Sequence, residues 1–221
     1  MKRSRTSKAW MREHVNDFYV QQAKREGYRS RAAFKLIEIN KRDRLIVQGM
    51  TVVDLGATPG GWSQIAAGLV GSSGHVYAID LLPMAPLRNV TFIQGSIDDD
   101  DNVMQQLRTA TGTRGVDLVI SDISPNISGI GLVDQARVMA LAERTLEITA
   151  SYLKPGGNLL VKVFQGQGFE AFLRSMRALF AEVVTRKPEA SRGRSNEIYL
   201  LGKRRRAVAA AAAPALPLSS K

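Results

Sequence analysis

The sequence predicts an α/β fold: a doubly wound, mostly parallel sheet of seven strands with an antiparallel edge strand. Three observations carry that prediction. From Met50 onward, short apolar runs of strand length alternate with segments of helical periodicity, the pattern of successive βαβ units. A glycine-rich turn, Gly56-Ala57-Thr58-Pro59-Gly60-Gly61, follows the first apolar run directly, where a strand of such a sheet hands over to its helix. The last two strand-like runs are joined by a link too short for a helical crossover and read as a hairpin.

Taken in order, 1–45 is a basic extension holding two helices, Ala9–Gly27 and Ser30–Arg44. Ser30 is the expected N-cap of the second, and Ala33, Phe34, Ile37 and Leu45 form its apolar stripe. The α/β domain spans 46–202. Its strands are expected at Thr51–Leu55, His75–Ile79, Val90–Ile93, Val116–Ser121 and Asn158–Phe164, with helices at Trp62–Val70, Asp99–Thr111, Leu132–Leu153 and Phe169–Phe180. Lys154-Pro155-Gly156-Gly157 is sound chemistry for stopping a helix. Strands at Glu182–Arg186 and Ile198–Leu201 close the sheet. The remainder, 203–221, opens with four consecutive cations and continues in alanine and proline, a composition that favours disorder.

Charge is unevenly placed. Of the net +11, residues 1–44 carry +8, residues 45–180 carry −3 and residues 181–221 carry +6. Basic ends around a mildly acidic centre suit a polyanionic partner, although basic tails also serve solubility. The absence of cysteine excludes disulfides, thiolate zinc sites and a cysteine nucleophile, and two distant histidines, His14 and His75, argue against a histidine metal cluster. No metal is expected. No run of about 18 apolar residues occurs, and the basic N-terminus is not followed by an apolar stretch, so neither a membrane span nor a secretory leader is expected. A cytoplasmic location fits these features.

The glycine turn departs from the G-x-G-x-x-G spacing of dinucleotide sites, and it lacks the Lys-Ser/Thr of a triphosphate loop. It begins at Asp54 and Gly56 and ends at Gly60, Gly61 and Trp62. A carboxylate beside a glycine loop suits a cationic ligand such as the amino-acid ammonium of S-adenosylmethionine. Asp80, ending the second strand, is placed for two ribose hydroxyls, or else is an ordinary strand-end residue. Trp62 is either a site residue or part of the core. Gln94-Gly95-Ser96-Ile97-Asp98 lies at the height of an adenine, whereas the acids Asp98 to Asp101 also suit a solvated helix start. Asp122 ends the fourth strand. Lys162 sits inside an apolar fifth strand, where a lysine is costly unless paired or deprotonated. Lys35 and Glu197, each taken alone, are unremarkable.

Together these stretches resemble the RrmJ/FtsJ family of RNA ribose 2′-O-methyltransferases. The similarity is carried by Tyr28-Arg29-Ser30-Arg31-Ala32-Ala33-Phe34-Lys35-Leu36, the Asp54–Trp62 loop, Ser121-Asp122, Val161-Lys162-Val163-Phe164-Gln165-Gly166 and Arg194-Ser195-Asn196-Glu197-Ile198-Tyr199, spanning residues 8 to 202. The family's Lys-Asp-Lys-Glu set falls on Lys35, Asp122, Lys162 and Glu197. The resemblance implies a Rossmann-like class I methyltransferase in which Gly60, Trp62, Asp80 and Asp122 contact S-adenosylmethionine, with Lys162 as proton acceptor. It further implies transfer of a methyl group to a uridine 2′-hydroxyl in the A loop of 23S rRNA, within the 50S subunit, by a monomer. Thr58 stands where the family usually has alanine. Ser96 stands where an aspartate commonly meets the adenine edge.

Deprotonation of the hydroxyl by Lys162 requires its neutral amine, which burial and the neighbouring Lys35 favour, while Asp122 and Glu197 favour the ammonium. A persistent ammonium would instead orient the hydroxyl and stabilise charge on its oxygen. Arg29, Arg31, Lys41, Arg192 and Arg194 are the candidate RNA contacts. Transfer RNA or an mRNA cap is an alternative substrate for the same four residues. A non-catalytic RNA-binding assembly factor is the alternative of another class.

Overall fold

The computed structural model describes residues 17–112, 115–125, 128–191 and 196–207. Arg192, Arg194, the first sixteen residues and the alanine- and proline-rich stretch 208–221 therefore lie outside the described residues. Two helices, α1 (Phe18–Glu26) and α2 (Ala32–Asp43), precede the sheet. The Asp17 carboxylate caps α1 by accepting from the Tyr19 and Val20 amides. Ser30 makes no such cap: α2 begins after Arg31 without a side-chain acceptor. The Ser30 hydroxyl turns instead onto Gly61, where a Cβ would collide with its oxygen.

The sheet then forms in chain order: β1 (Thr51–Leu55), α3 (Gly61–Val70), β2 (His75–Asp80), β3 (Val90–Gln94), α4 (Gln105–Thr111), β4 (Val116–Ser121), α5 (Gly131–Tyr152), β5 (Leu153–Phe164), α6 (Phe169–Leu179), β6 (Phe180–Arg186) and β7 (Glu197–Arg205). Its order is β3-β2-β1-β4-β5-β7-β6. The first five strands in that order are parallel, and β7 inserts antiparallel between β5 and β6. Seven strands, mostly parallel, agree with the sequence expectation.

Several boundaries differ from expectation. β7 runs on to Arg205, so Lys203, Arg204 and Arg205 of the segment expected to be disordered are strand, paired with β6. Two others differ for a local physical reason. The helix expected to begin at Asp99 opens with a wide π-type turn, Asp100–Met104, whose cap is the Asp99 side chain accepting from the Asn102 amide. Lys154-Pro155-Gly156-Gly157 does end α5, but the chain runs straight on into β5. Proline there cannot donate to a ladder, and pairing with β4 shifts register between Val116 and Leu118, as a bulge requires.

Period-2 alternation divides the core between the two sheet faces. Val53, Leu55, Val119, Val161 and Val163 pack with Phe172, Met176 and Phe180, while Val52, Leu118, Ile120 and Leu160 pack with Leu36, Ile39 and Trp62. Each such fully buried side chain contributes about 1.5–3 kcal/mol relative to exposure. Parallel pairing of neighbouring strands leaves the carboxyl ends of β1, β2, β4 and β5 side by side.

Candidate active site

Lys35, Asp122, Lys162 and Glu197 come from four separate elements and meet in one cluster. Asp122 follows the last residue of β4. Lys162 lies on β5, paired in register with Tyr199 of the antiparallel β7, and Glu197 faces the same side two residues earlier. The Lys162 ammonium nitrogen, its side chain 5% exposed, donates to the Asp122 main-chain oxygen at 2.7 Å and lies 3.2 Å from Asp122 Oδ1. Lys35 reaches in from α2: its Nζ is 2.7 Å from Glu197 Oε1 and 3.5 Å from Asp122 Oδ1.

Sequence reasoning missed the residue at the centre. Tyr199 is buried, receives a hydrogen bond from Lys35 Nζ at 2.8 Å and donates to Asp122 Oδ1 at 2.7 Å, with Glu197 Oε1 at 3.1 Å. Its ring rests against Trp62, 5.7 Å between centroids. Strand alternation places residues 197 and 199 on one face, so the signal was present, but a tyrosine in an apolar strand reads as core.

The electrostatics follow from this packing. Burial pushes the Asp122 carboxyl up, yet the Lys162 and Lys35 ammonium groups, with the hydrogen bonds from Tyr199 and Lys162, outweigh it and hold Asp122 below the usual carboxylate range. Burial, then the charges of Asp122 and Glu197, pushes the Tyr199 hydroxyl well above its ordinary range, so it stays a neutral donor.

Beside the cluster lies a cavity of about 680 Å³ whose wall includes Gly56, Thr58, Asp80, Ser96, Asp98 and Asp122, with Ile97, Ile123 and Leu141 supplying apolar surface. Asp122 is thus common to cavity and cluster. Gly56 holds φ 75°, and a Cβ there would lie 2.7 Å from that of Ile123, so only glycine lets the loop pass. Asp80 accepts from the Thr58 amide at 2.9 Å and the Leu82 amide at 2.8 Å, leaving further lone pairs on both oxygens for ribose hydroxyls. Ser96 accepts from the Asp98 amide at 3.1 Å, so Asp98 also enters the wall.

Three expected cofactor residues stand behind that wall. Trp62 is in the core, 3% exposed, its indole N–H donating to the Ala32 carbonyl at 2.7 Å. Gly60 closes onto Arg29 and Met84. Asp54 is 1% exposed and accepts from Ser63 Oγ at 2.6 Å. Burial, only partly offset by that hydrogen bond and reinforced by Asp122 and Asp80, raises the Asp54 carboxyl from 3.8 to about 7.

That shift sets a pH dependence. Between its ordinary and raised values, folded Asp54 keeps a proton that the unfolded chain releases. The resulting stabilisation is complete below about pH 4 and is lost as pH rises through about 7, a difference of a few kcal/mol at most. A melting-temperature series on the ligand-free protein is therefore expected to fall from about pH 4 to about pH 7 and to level off above that, and Asp54→Asn to flatten that decline.

Of the expected RNA contacts, Lys41 is exposed and, with Arg42 and Lys187, borders a groove that also holds Glu38 and Glu189. Arg31 is paired with Asp17 and donates to the Ala190 carbonyl. Arg29 is turned inward onto main-chain carbonyls. Intramolecular partners leave these two arginines less of their donor capacity for phosphate than an unpartnered turn would have given. Among the described residues no helix is long and apolar enough to cross a membrane.

Comparison with known proteins gives concordant results. Residues 28–205 match the FtsJ-like methyltransferase family. The chain is 61% identical over 202 residues to the ribosomal RNA large subunit methyltransferase E of Nitrosospira multiformis, covering 91% of this chain and 98% of that protein. It is 60% identical over 203 residues to the same-named protein of Dechloromonas aromatica, covering 92% and 98%. Among solved structures, a ribosomal RNA methyltransferase from Plasmodium falciparum superposes with a TM-score of 0.72 at 27% identity, covering 80% of this chain and 98% of that one. Fibrillarin from Aeropyrum pernix, solved with S-adenosylmethionine bound, shares the fold alone, with a TM-score of 0.54 at 13% identity over 77% and 73% of the chains.

Proposed function

Because the chain belongs to the FtsJ-like methyltransferase family, we propose that it methylates a uridine 2′-hydroxyl of 23S rRNA, using S-adenosylmethionine and the Lys35-Asp122-Lys162-Glu197 cluster. The observation that carries this reading is the convergence of two lysines and two carboxylates at the carboxyl edge of the sheet, with Asp122 shared by the adjoining cavity. The names of the relatives, which are ribosomal RNA large subunit methyltransferases, support the substrate class.

The cavity fits the donor: Asp80 offers acceptors for ribose hydroxyls, Ser96 and Asp98 polar atoms for an adenine edge, and apolar side chains the faces between. When bound, S-adenosylmethionine supplies an electrophilic methyl group. The chain's own part is to deliver an oxygen nucleophile in line with it. Lys162 takes the hydroxyl proton. Once its ammonium has released one proton, two N–H groups still match the two Asp122 oxygens beside it and the lone pair is left for the substrate. Lys35 fixes the ribose, and Glu197 and Tyr199 hold Lys35. Trp62 acts through its packing on Tyr199, and Asp54 and Gly60 through the loop they shape. Lys41 and Arg42 meet the RNA backbone, joined by Arg192 and Arg194 from the neighbouring segment. The protein works as a cytoplasmic monomer on the assembled 50S subunit.

The test is transfer of labelled methyl groups to three substrates: unmodified 50S subunits, free 23S rRNA and transfer RNA. Mass mapping is expected to place the label on a uridine ribose of the A loop, with 50S the preferred form. Label on a base, or on transfer RNA alone, contradicts the assignment.

A further inference from the structure

We propose that Arg29 is a positioning residue of the cofactor site, binding the loops that shape the cavity rather than a phosphate of the RNA. The proposal rests on the reading of that cavity as the S-adenosylmethionine site.

Arg29 lies in the linker between α1 and α2, a basic turn in which charge alone suggests contact with a polyanion. Its guanidinium points the other way. Nη1 donates to the Pro59 carbonyl at 3.3 Å and the Ala85 carbonyl at 2.6 Å, and Nη2 donates to the Pro86 carbonyl at 2.7 Å. Pro59 belongs to the glycine loop after β1, while Ala85 and Pro86 belong to the segment leading from β2 to β3. The cavity wall takes Gly56 and Thr58 from the first of these and Leu81 and Leu82 from the second.

Both loops are thus fastened from two sides. Toward the cavity, Asp80 accepts from the Thr58 amide, and Thr58 Oγ1 donates to the Leu82 carbonyl at 2.9 Å. Away from the cavity, the Arg29 fork does the joining. Gly60 shows how close that approach is: a Cβ there would lie 2.9 Å from both Arg29 Nη1 and Met84 Sδ. The linker itself is fixed to α3, because the Arg29 amide donates to Gln64 Oε1 at 3.0 Å and Gln64 Nε2 returns a hydrogen bond to the Gly27 carbonyl at 2.9 Å. The acceptors are served from two separate nitrogens of one planar fork, whereas an ammonium presents its three N–H groups from a single nitrogen, so lysine is not equivalent here. At a phosphate contact, by contrast, lysine retains most of the effect. The linker also continues into α2, which carries Lys35, so the cofactor loops and the substrate lysine share one anchor.

The experiment measures S-adenosylmethionine affinity by calorimetry without RNA, on the full chain and on Arg29→Lys, Arg29→Ala and Asp80→Ala. Arg29→Lys is expected to weaken the cofactor about tenfold and to raise its KM alike, while kcat at saturating cofactor stays within about twofold. Its RNA affinity and salt dependence are expected to match the parent chain, whereas Lys41→Ala lowers RNA affinity and the salt slope by about one and leaves the cofactor untouched. A general loss of stability would not divide KM from kcat in this way, and if Arg29→Ala fails to fold, Arg29→Lys decides. Parental cofactor affinity in Arg29→Lys, alongside weakened binding in Asp80→Ala, overturns the clamp alone. Parental affinity in Asp80→Ala overturns the reading of the cavity itself.

Discussion

Replacing Lys162 with alanine is expected to reduce methyl transfer about 10³–10⁴-fold while leaving S-adenosylmethionine affinity within about twofold. The reason is positional. Lys162 is held by the Asp122 main-chain oxygen and Oδ1, with its side chain almost fully buried. Neither its nitrogen nor its stem contributes to the cavity wall, so its removal costs chemistry rather than donor binding. Single-turnover rates at saturating cofactor and RNA, with calorimetry for affinity, check both halves. The substitution Lys162→Arg separates the two roles: a guanidinium keeps the charge and the donors but does not give up its proton near neutrality. A base role requires Lys162→Arg to be as slow as Lys162→Ala. Near-parental rates with an unchanged pH profile eliminate it.

The second large effect belongs to Asp122. Asp122→Asn is expected to lower kcat by about 10²–10³-fold and to destabilise the fold by about 3 kcal/mol. Both lysine ammonium groups and the Tyr199 hydroxyl converge on Asp122 Oδ1, at 3.2, 3.5 and 2.7 Å. An amide oxygen keeps the tyrosine hydrogen bond but not the charge, leaving the Lys162 and Lys35 ammonium groups without the carboxylate that both face. The sign with pH is fixed by the depressed Asp122 carboxyl. Its stabilisation is present above the ordinary carboxylate value and is lost only as pH falls through the lower folded value. The deficit of Asp122→Asn is therefore complete at neutral pH and shrinks in acid, which melting curves at several pH values measure. Added salt alters it little, because the pairs are shielded from solvent.

Much of this was legible beforehand, for reasons that differ by residue. The β1 run Thr51–Leu55 is buried at every position and the glycine loop follows it, so periodicity and turn chemistry located the cavity edge without any knowledge of the partners. Lys162 announced itself by being charged within an apolar strand. Lys35 and Glu197 carried no such anomaly, and only the ordered resemblance of all four residues drew attention to them. Ser30 obeyed the composition of a cap and yet faces Gly61, because the linker packs on α3 before α2 begins.

What the sequence determined by itself was the period of each element, the glycines that make the loop after β1 possible, and the charges available at each strand end. Those are local properties, set by φ/ψ sterics and by the spacing of apolar side chains. What only the tertiary structure decided was pairing: that antiparallel β7 brings Tyr199 opposite Lys162, that the tyrosine hydroxyl becomes the node of the cluster, and that Arg29 turns inward to three carbonyls. A hydrogen bond between residues separated by 164 positions, as between Lys35 and Tyr199, leaves no trace in local propensity. It exists because the helices and the seven strands bury their apolar faces together, and the polar groups carried with them must pair where that packing puts them.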